Sequence, residues 1–149
     1  MINYIKTPQQ HELFENFQRL ANRELPTNKQ NILAPLKPVI TRWNSYCSAF
    51  KRAVLLQPAI NAYVGHHIRL TRDEDTYTIS RGNKLPVAAP WMRSTGLSAA
   101  DWGVVTKYLD VLTPLKLAIK RLKSHGKGSQ YSAIYKIIPV FKFLLGYYE

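Results

Sequence analysis

A chain of 149 residues is long enough for one domain with a real core. With 46% hydrophobic and 20% charged residues it is globular in composition, which excludes a disordered or low-complexity chain. The charge is the outlier: 21 Lys and Arg against 9 Asp and Glu, formally +12, favour a polyanionic partner, nucleic acid before acidic lipid. The bland alternative is a protein that is merely basic, or a piece whose acidic complement lies elsewhere.

Thr7-Pro8 opens the first predicted helix, with threonine as N-cap and proline at the first helical position, where its missing amide costs nothing. Leu13, Phe14, Phe17, Leu20 and Ala21 recur at helical spacing and carry it to about Leu25. Pro26, Pro35 and Pro38 stiffen the connector that follows, and Pro38-Val39-Ile40 reads as a short β-type run. A second helix starts at Trp43 or Asn44 with Trp43, Cys47, Phe50 and Val54 on one face. Pro58 ends or kinks it, and a continuation carries Ile60, Tyr63, Val64, Ile68 and Leu70. From Thr71 to Gly96 no periodicity is sustained, which predicts a long loop at about 71–97. Asp73-Glu74-Asp75 reads there as a solvated turn, and Pro90-Trp91-Met92 as the point that pins the loop down.

Leu97-Ser98-Ala99-Ala100-Asp101-Trp102 predicts a helix start: Ser98 caps, Asp101 returns the bond, and Leu97 staples against Trp102. The stripe continues through Val105, Leu109, Leu112, Leu115, Ile119 and Leu122, interrupted by Pro114, and Gly126-Lys127-Gly128-Ser129 breaks it. The segment from Ser132 to Tyr148 is apolar almost all round, so it needs enclosing neighbours. Two readings stay open: it is the central helix of the bundle, or it is covered by further sequence or a partner subunit.

Few residues suit catalysis. Cys47 is the one cysteine, so there is no intrachain disulfide and no Cys-rich zinc module, and its place on an apolar face suits a small core residue better than a nucleophile. His66 and His67 point to different helix faces, while His11 and His125 are isolated, so no metal site is expected. The glycines at 126 and 128 lack the spacing of a P-loop, and no serine, histidine and acid group into a triad. Glu12, Glu15, Asp101 and Asp110 read as helix-face or capping charges, so no catalytic residue is assigned. No apolar run approaches the roughly 18 residues of a membrane span, and Met1-Ile2-Asn3-Tyr4-Ile5-Lys6 lacks signal-peptide architecture. An intracellular chain without a membrane partner is expected.

What remains is binding. Arg42-Trp43 sets a cation and a flat π-face at an element end, which suits a phosphate and an unstacked base. A tryptophan plugging a core beside a snorkelling arginine is the other reading. Lys51, Arg52 and Arg69 are candidate backbone contacts, and Lys116, Lys120, Arg121 and Lys123 form a second basic cluster. For those seven, a solvated helix face and a DNA contact are equally open.

Pro38-Val39-Ile40-Thr41-Arg42-Trp43-Asn44-Ser45-Tyr46, with Phe50-Lys51-Arg52-Ala53 and Leu56-Gln57, resembles the TRWNS segment of hAT-type (hobo–Activator) DNA transposases, closest to fungal members. Leu97 to Trp102 and Tyr108 to Lys116 resemble the helical segment that follows in those proteins, and Tyr4 to Gln10 the one that precedes it. The resemblance implies a mainly α fold: a helical bundle like the family's insertion domain, with a short extended segment from the edge of an RNase H-like core. The division would be residues 1–43 as the tail of that core and 44–149 as the inserted helical domain.

In the family, the tryptophan of the RW pair is implied to stack on a base exposed in the flanking DNA, a role that carries over to Trp43 with Arg42 as its electrostatic neighbour. The first two catalytic aspartates lie upstream of the TRWNS segment and the catalytic glutamate downstream of the helical insertion. The resemblance therefore implies a nuclear, DNA-contacting fragment that lacks the catalytic acids. Divalent metal such as magnesium would belong to the intact enzyme. Other transposase subunits could dock on the apolar last helix. The rival readings are a transposase-derived interaction module, a remnant without function, and a basic helix adsorbing to acidic membrane.

Overall fold

The computed structural model describes residues 1–27, 30–39, 43–123 and 137–148, with Trp43 and Lys123 described by their backbone alone. The architecture is mainly α, and no strand occurs among the described residues. α1 spans Ile2–Ile5, α2 Pro8–Ala21, α3 Trp43–Leu55, α4 Gln57–Ser80, α5 Ala99–Lys123 and α6 Ile137–Tyr148, with a 3₁₀ turn at Pro90–Arg93 before α5.

Pro8 begins α2 as expected, but the Thr7 hydroxyl does not cap it; it donates back to the Tyr4 carbonyl at 3.2 Å. The helix ends at Ala21, short of Leu25, which closes a separate turn through its amide to the Asn22 carbonyl. α2 lies along α4, and the core forms between them. Phe14 meets the Tyr63 ring edge-to-face at 5.5 Å, both fully buried, with Ile60, Val64, Ile68 and Trp102 around them. Gln18 is buried in the same layer and satisfied twice: its amide donates to the Leu33 carbonyl at 3.0 Å, and its oxygen accepts the Leu33 amide at 2.8 Å. One side chain thus imitates a strand partner for the connector.

Pro38-Val39 forms no strand; both lie in the irregular connector, and Ile40 falls outside the described residues. α3 and α4 are separated by Leu56 alone, with Pro58 in the first turn of α4, where proline is tolerated. Cys47 is buried, consistent with a core role.

The expected loop at 71–97 is corrected at its start. α4 runs on to Ser80 for 24 residues, so the irregular stretch begins at Arg81. Residues 72–80 are mostly exposed and have no apolar stripe to reveal a helix. Thr76, Thr78 and Ser80 instead turn their hydroxyls back onto the carbonyls of Arg72, Glu74 and Tyr77. Gly82, at φ 68°, takes the left-handed conformation that stops the helix, and the Asn83 amide reaches the Thr78 carbonyl. Asp73-Glu74-Asp75 is therefore helical rather than a turn. Asp75 holds Arg93 through paired bonds of 2.8 and 2.9 Å, which keep its carboxyl below the ordinary range. Pro90-Trp91-Met92 pins the loop as expected: Met92 is buried and Trp91 stacks on Tyr63 at 6.3 Å.

α5 starts with the expected capping box. The Ser98 amide and hydroxyl both donate to Asp101 Oδ2, and the Asp101 amide returns to the Ser98 hydroxyl at 3.2 Å. The Trp102 indole donates to Asn61 Oδ1 at 3.0 Å and ties this start to α4. α5 then runs antiparallel to α3: Trp102 shares the core with Leu56, Tyr108 lies 6.0 Å from the Phe50 ring, and Lys116 reaches Ser48. Pro114 is buried inside the continuing helix. α6 is not the central helix of a bundle. It lies on α5 alone among the helices, burying Val140 while Ile138, Phe141 and Leu145 stay 67%, 62% and 59% exposed.

His67 is the buried histidine among the described residues. Its Nε2 and the Tyr63 hydroxyl both donate to Gln10 Oε1, at 2.9 and 2.7 Å. Tyr4 from α1, Trp91 from the 3₁₀ turn and His66 from its own helix face the ring. Burial, then repulsion from His66, hold its pKa below the ordinary 6.5. The unfolded chain takes up this proton near pH 6.5 and the folded chain resists it. Stability is therefore complete above that pH and falls below it, by up to about 1.4 kcal/mol per pH unit. Urea denaturation between pH 7.5 and 5 is expected to show this loss, and His67→Gln to flatten it.

Candidate nucleic-acid interface

The first residue of α3 is Trp43, and the turn that follows fixes how the TRWNS segment enters the helix. The Ser45 hydroxyl accepts the Val39 amide at 2.8 Å and donates to the Val39 carbonyl at 2.9 Å. Both polar groups of one connector residue are thus clamped to the first turn of α3. Thr41 and Arg42 lie outside the described residues, and of Trp43 only the backbone is described. Asn44 Oδ1 is buried without a hydrogen-bond partner among the described residues.

One turn further along α3, the Ser48 hydroxyl donates to the Asn44 carbonyl and accepts a 2.8 Å bond from Lys116 Nζ. This contact brings the basic half of α5 to the turn that begins at Trp43. Lys116, distant in sequence from α3, is thereby set beside the first half of that helix. Lys120 is exposed one helical turn beyond Lys116. The Arg121 guanidinium lies 4.6 Å over the Phe143 ring of α6. Lys123 closes α5 and is described by its backbone alone.

The remaining candidates separate. Lys51 is exposed on α3. Arg52 turns toward the connector and donates from Nη1 to the Ala34 carbonyl at 2.9 Å. Arg69 is exposed on α4, a helix that packs chiefly on α2 and the 3₁₀ turn, away from the α3–α5 pair.

The distribution of acids sharpens the picture and was available in the sequence. No Asp or Glu occurs between Glu24 and Asp73, or between Asp110 and Glu149. α3, the second half of α5 and α6 therefore carry no carboxylate; the acids of α5, Asp101 and Asp110, lie in its first half. Among the described residues no three His, Cys, Asp or Glu side chains gather closely enough to hold a metal ion. No described helix is long and apolar enough to cross a membrane. Comparison with protein-family models, with curated proteins and with solved structures gives no match.

Ser45 is testable as the clamp on this entry. Ser45→Ala is expected to cost about 0.5–1.5 kcal/mol in urea denaturation. The same change is expected to speed hydrogen exchange at the Val39 amide, because its acceptor is gone, while leaving the α4 amides protected.

Proposed function

We propose that this chain is a DNA-contacting piece of a hAT-type transposase, acting without catalytic carboxylates of its own. The observation that carries the reading is the acid-free end of the α3–α5 pair, where the Lys116–Ser48 bond brings a second basic cluster to the helix that begins at Trp43. In this reading Trp43 stacks on an exposed base, while Arg42, Lys116 and Lys120 take the flanking phosphates. Lys51 and Arg121 extend the same electrostatic surface, with Lys123 at its far end. Arg52 and Arg69 contribute charge rather than direct contact. The extended run before Trp43 would be the edge of an RNase H-like core in the intact transposase, which would supply the divalent metal and work in the nucleus.

The test is binding of the purified chain to single-stranded, hairpin-ended and blunt duplex DNA at two salt concentrations. Affinity is expected to fall steeply with salt and to favour exposed bases. Trp43→Ala should erase that preference, at about 1–3 kcal/mol per stacked base. Lys120→Gln should weaken all three DNAs together and lower the salt slope by about one. Equal affinity for blunt duplex, or no change on Trp43→Ala with Arg42→Ala, overturns the assignment.

A second reading is favoured by one feature of α6. Ile138, Phe141 and Leu145 are exposed and recur at spacings of three and four, the pattern of a coiled-coil seam, while Tyr148 beyond them donates its hydroxyl to the Val111 carbonyl of α5. A second copy of the chain, presenting the same stripe, is the occupant this pattern fits. Sedimentation should then show concentration-dependent association that Phe141→Asp abolishes. A monomer at every concentration rejects this reading.

A further inference from the structure

We infer that a partly open cavity beside the core binds a compact amphipathic carboxylate, with an alkyl or aromatic body inside and its head at Arg52. The cavity encloses about 270 Å³ among Ile2 of α1, Leu36 of the connector, Ala53 and Leu56 around the end of α3, and Trp102 and Val105 of α5. Its wall is almost wholly hydrocarbon. A wall this apolar gives water few hydrogen bonds, so an apolar body displaces that water at little cost. An apolar body seated there gains dispersion contacts with the lining atoms. The volume lies near the lower bound of small-molecule sites, roughly 300 Å³, so the body is a short alkyl chain or a single ring rather than a large cofactor.

The head group follows from the charged residues in the wall. Arg52 lines the cavity, and its guanidinium spends only the bond from Nη1 to the Ala34 carbonyl. Nε and Nη2 make no further bond among the described residues, and in the proposal they are the fork that takes the carboxylate at the mouth of the cavity, outside its hydrocarbon wall. The acid in the lining, Asp101, is held ionised by two bonds from Ser98 in the capping box, so an anionic head is placed at Arg52 and not at the start of α5. The surrounding chain carries a formal +12, so its field favours an anion. This site is separate from the proposed DNA contact. It is built from the inner ends of α3 and α5 and from the connector, and it does not depend on the transposase reading.

Octanoate is the probe, with 1-octanol as its neutral counterpart, and binding to the full chain is read by calorimetry and by tryptophan fluorescence. Saturable octanoate binding is expected, at least fivefold tighter than octanol. Arg52→Gln should bring octanoate down to the octanol level. Ala53→Leu, which fills the cavity, should abolish binding of both while raising Tm. Should Ala53→Leu fail to fold, Val105→Ala serves instead: it enlarges the cavity and should shift preference from octanoate toward decanoate. The absence of saturable binding, octanoate binding that survives Ala53→Leu, or an unchanged chain-length preference in Val105→Ala overturns the site. Octanol binding as tight as octanoate overturns the role of Arg52.

Discussion

Tyr63 is the point from which the other placements follow. Its ring meets Phe14 of α2 edge-to-face and Trp91 of the 3₁₀ turn face-on, while its hydroxyl donates to Gln10. Burial pushes the phenol above its ordinary pKa, and the nearby Tyr4 adds to this, so the hydroxyl is a donor at neutral pH. A tyrosine satisfies both demands at once: an aromatic payload for the core and a directed bond that fixes the rotation of α2 against α4. With α2 fixed, the Gln18 side chain reaches Leu33 and the proline-rich connector acquires a defined path.

From that centre, position is handed outward through short joints. The single residue between α3 and α4 leaves α3 little freedom of direction, and the indole of Trp102 held by Asn61 sets where α5 begins. A helix of 25 residues fixed at its start delivers its far half to a determined place, which here is Ser48. The placement of Lys116 beside α3 is therefore a consequence of core packing.

The features legible in sequence are those whose physics is local. Ser98 and Asp101 form their capping box because the partners are three residues apart, and Pro58 marks a helix boundary because proline lacks an amide. The second half of α4 was not legible through periodicity: Thr76, Thr78 and Ser80 offer hydroxyls that fit loops equally well, and only the left-handed Gly82 marked the end. The Gln18–Leu33 pairing depends on two segments meeting in space, and nothing in either one signals it. For the candidate interface, residue types gave the cations but not their directions. Arg52 and Lys51 are neighbours, yet one bonds the connector and lines a cavity while the other faces solvent. The acid-free stretches were the stronger signal, since a surface without carboxylates keeps its potential whatever rotamers the cations adopt.

The two functional readings draw on different surfaces and need not compete. α6 turns Val140 and the Phe143 ring toward α5, where Arg121 covers that ring and the Tyr148 hydroxyl donates to the Val111 carbonyl, and leaves the stripe of Ile138, Phe141 and Leu145 facing out. Pairing through that stripe would consume none of the cations at the α3–α5 end. Two copies joined in this way would present two basic surfaces on one body, and the second DNA contact would then be intramolecular, governed by an effective concentration rather than by bulk. A single surface of a few lysines and arginines binds weakly once salt screens it. In the proposed reading, self-association through α6 therefore raises affinity without adding a base-specific contact, and it does so only for DNA long enough to reach both surfaces.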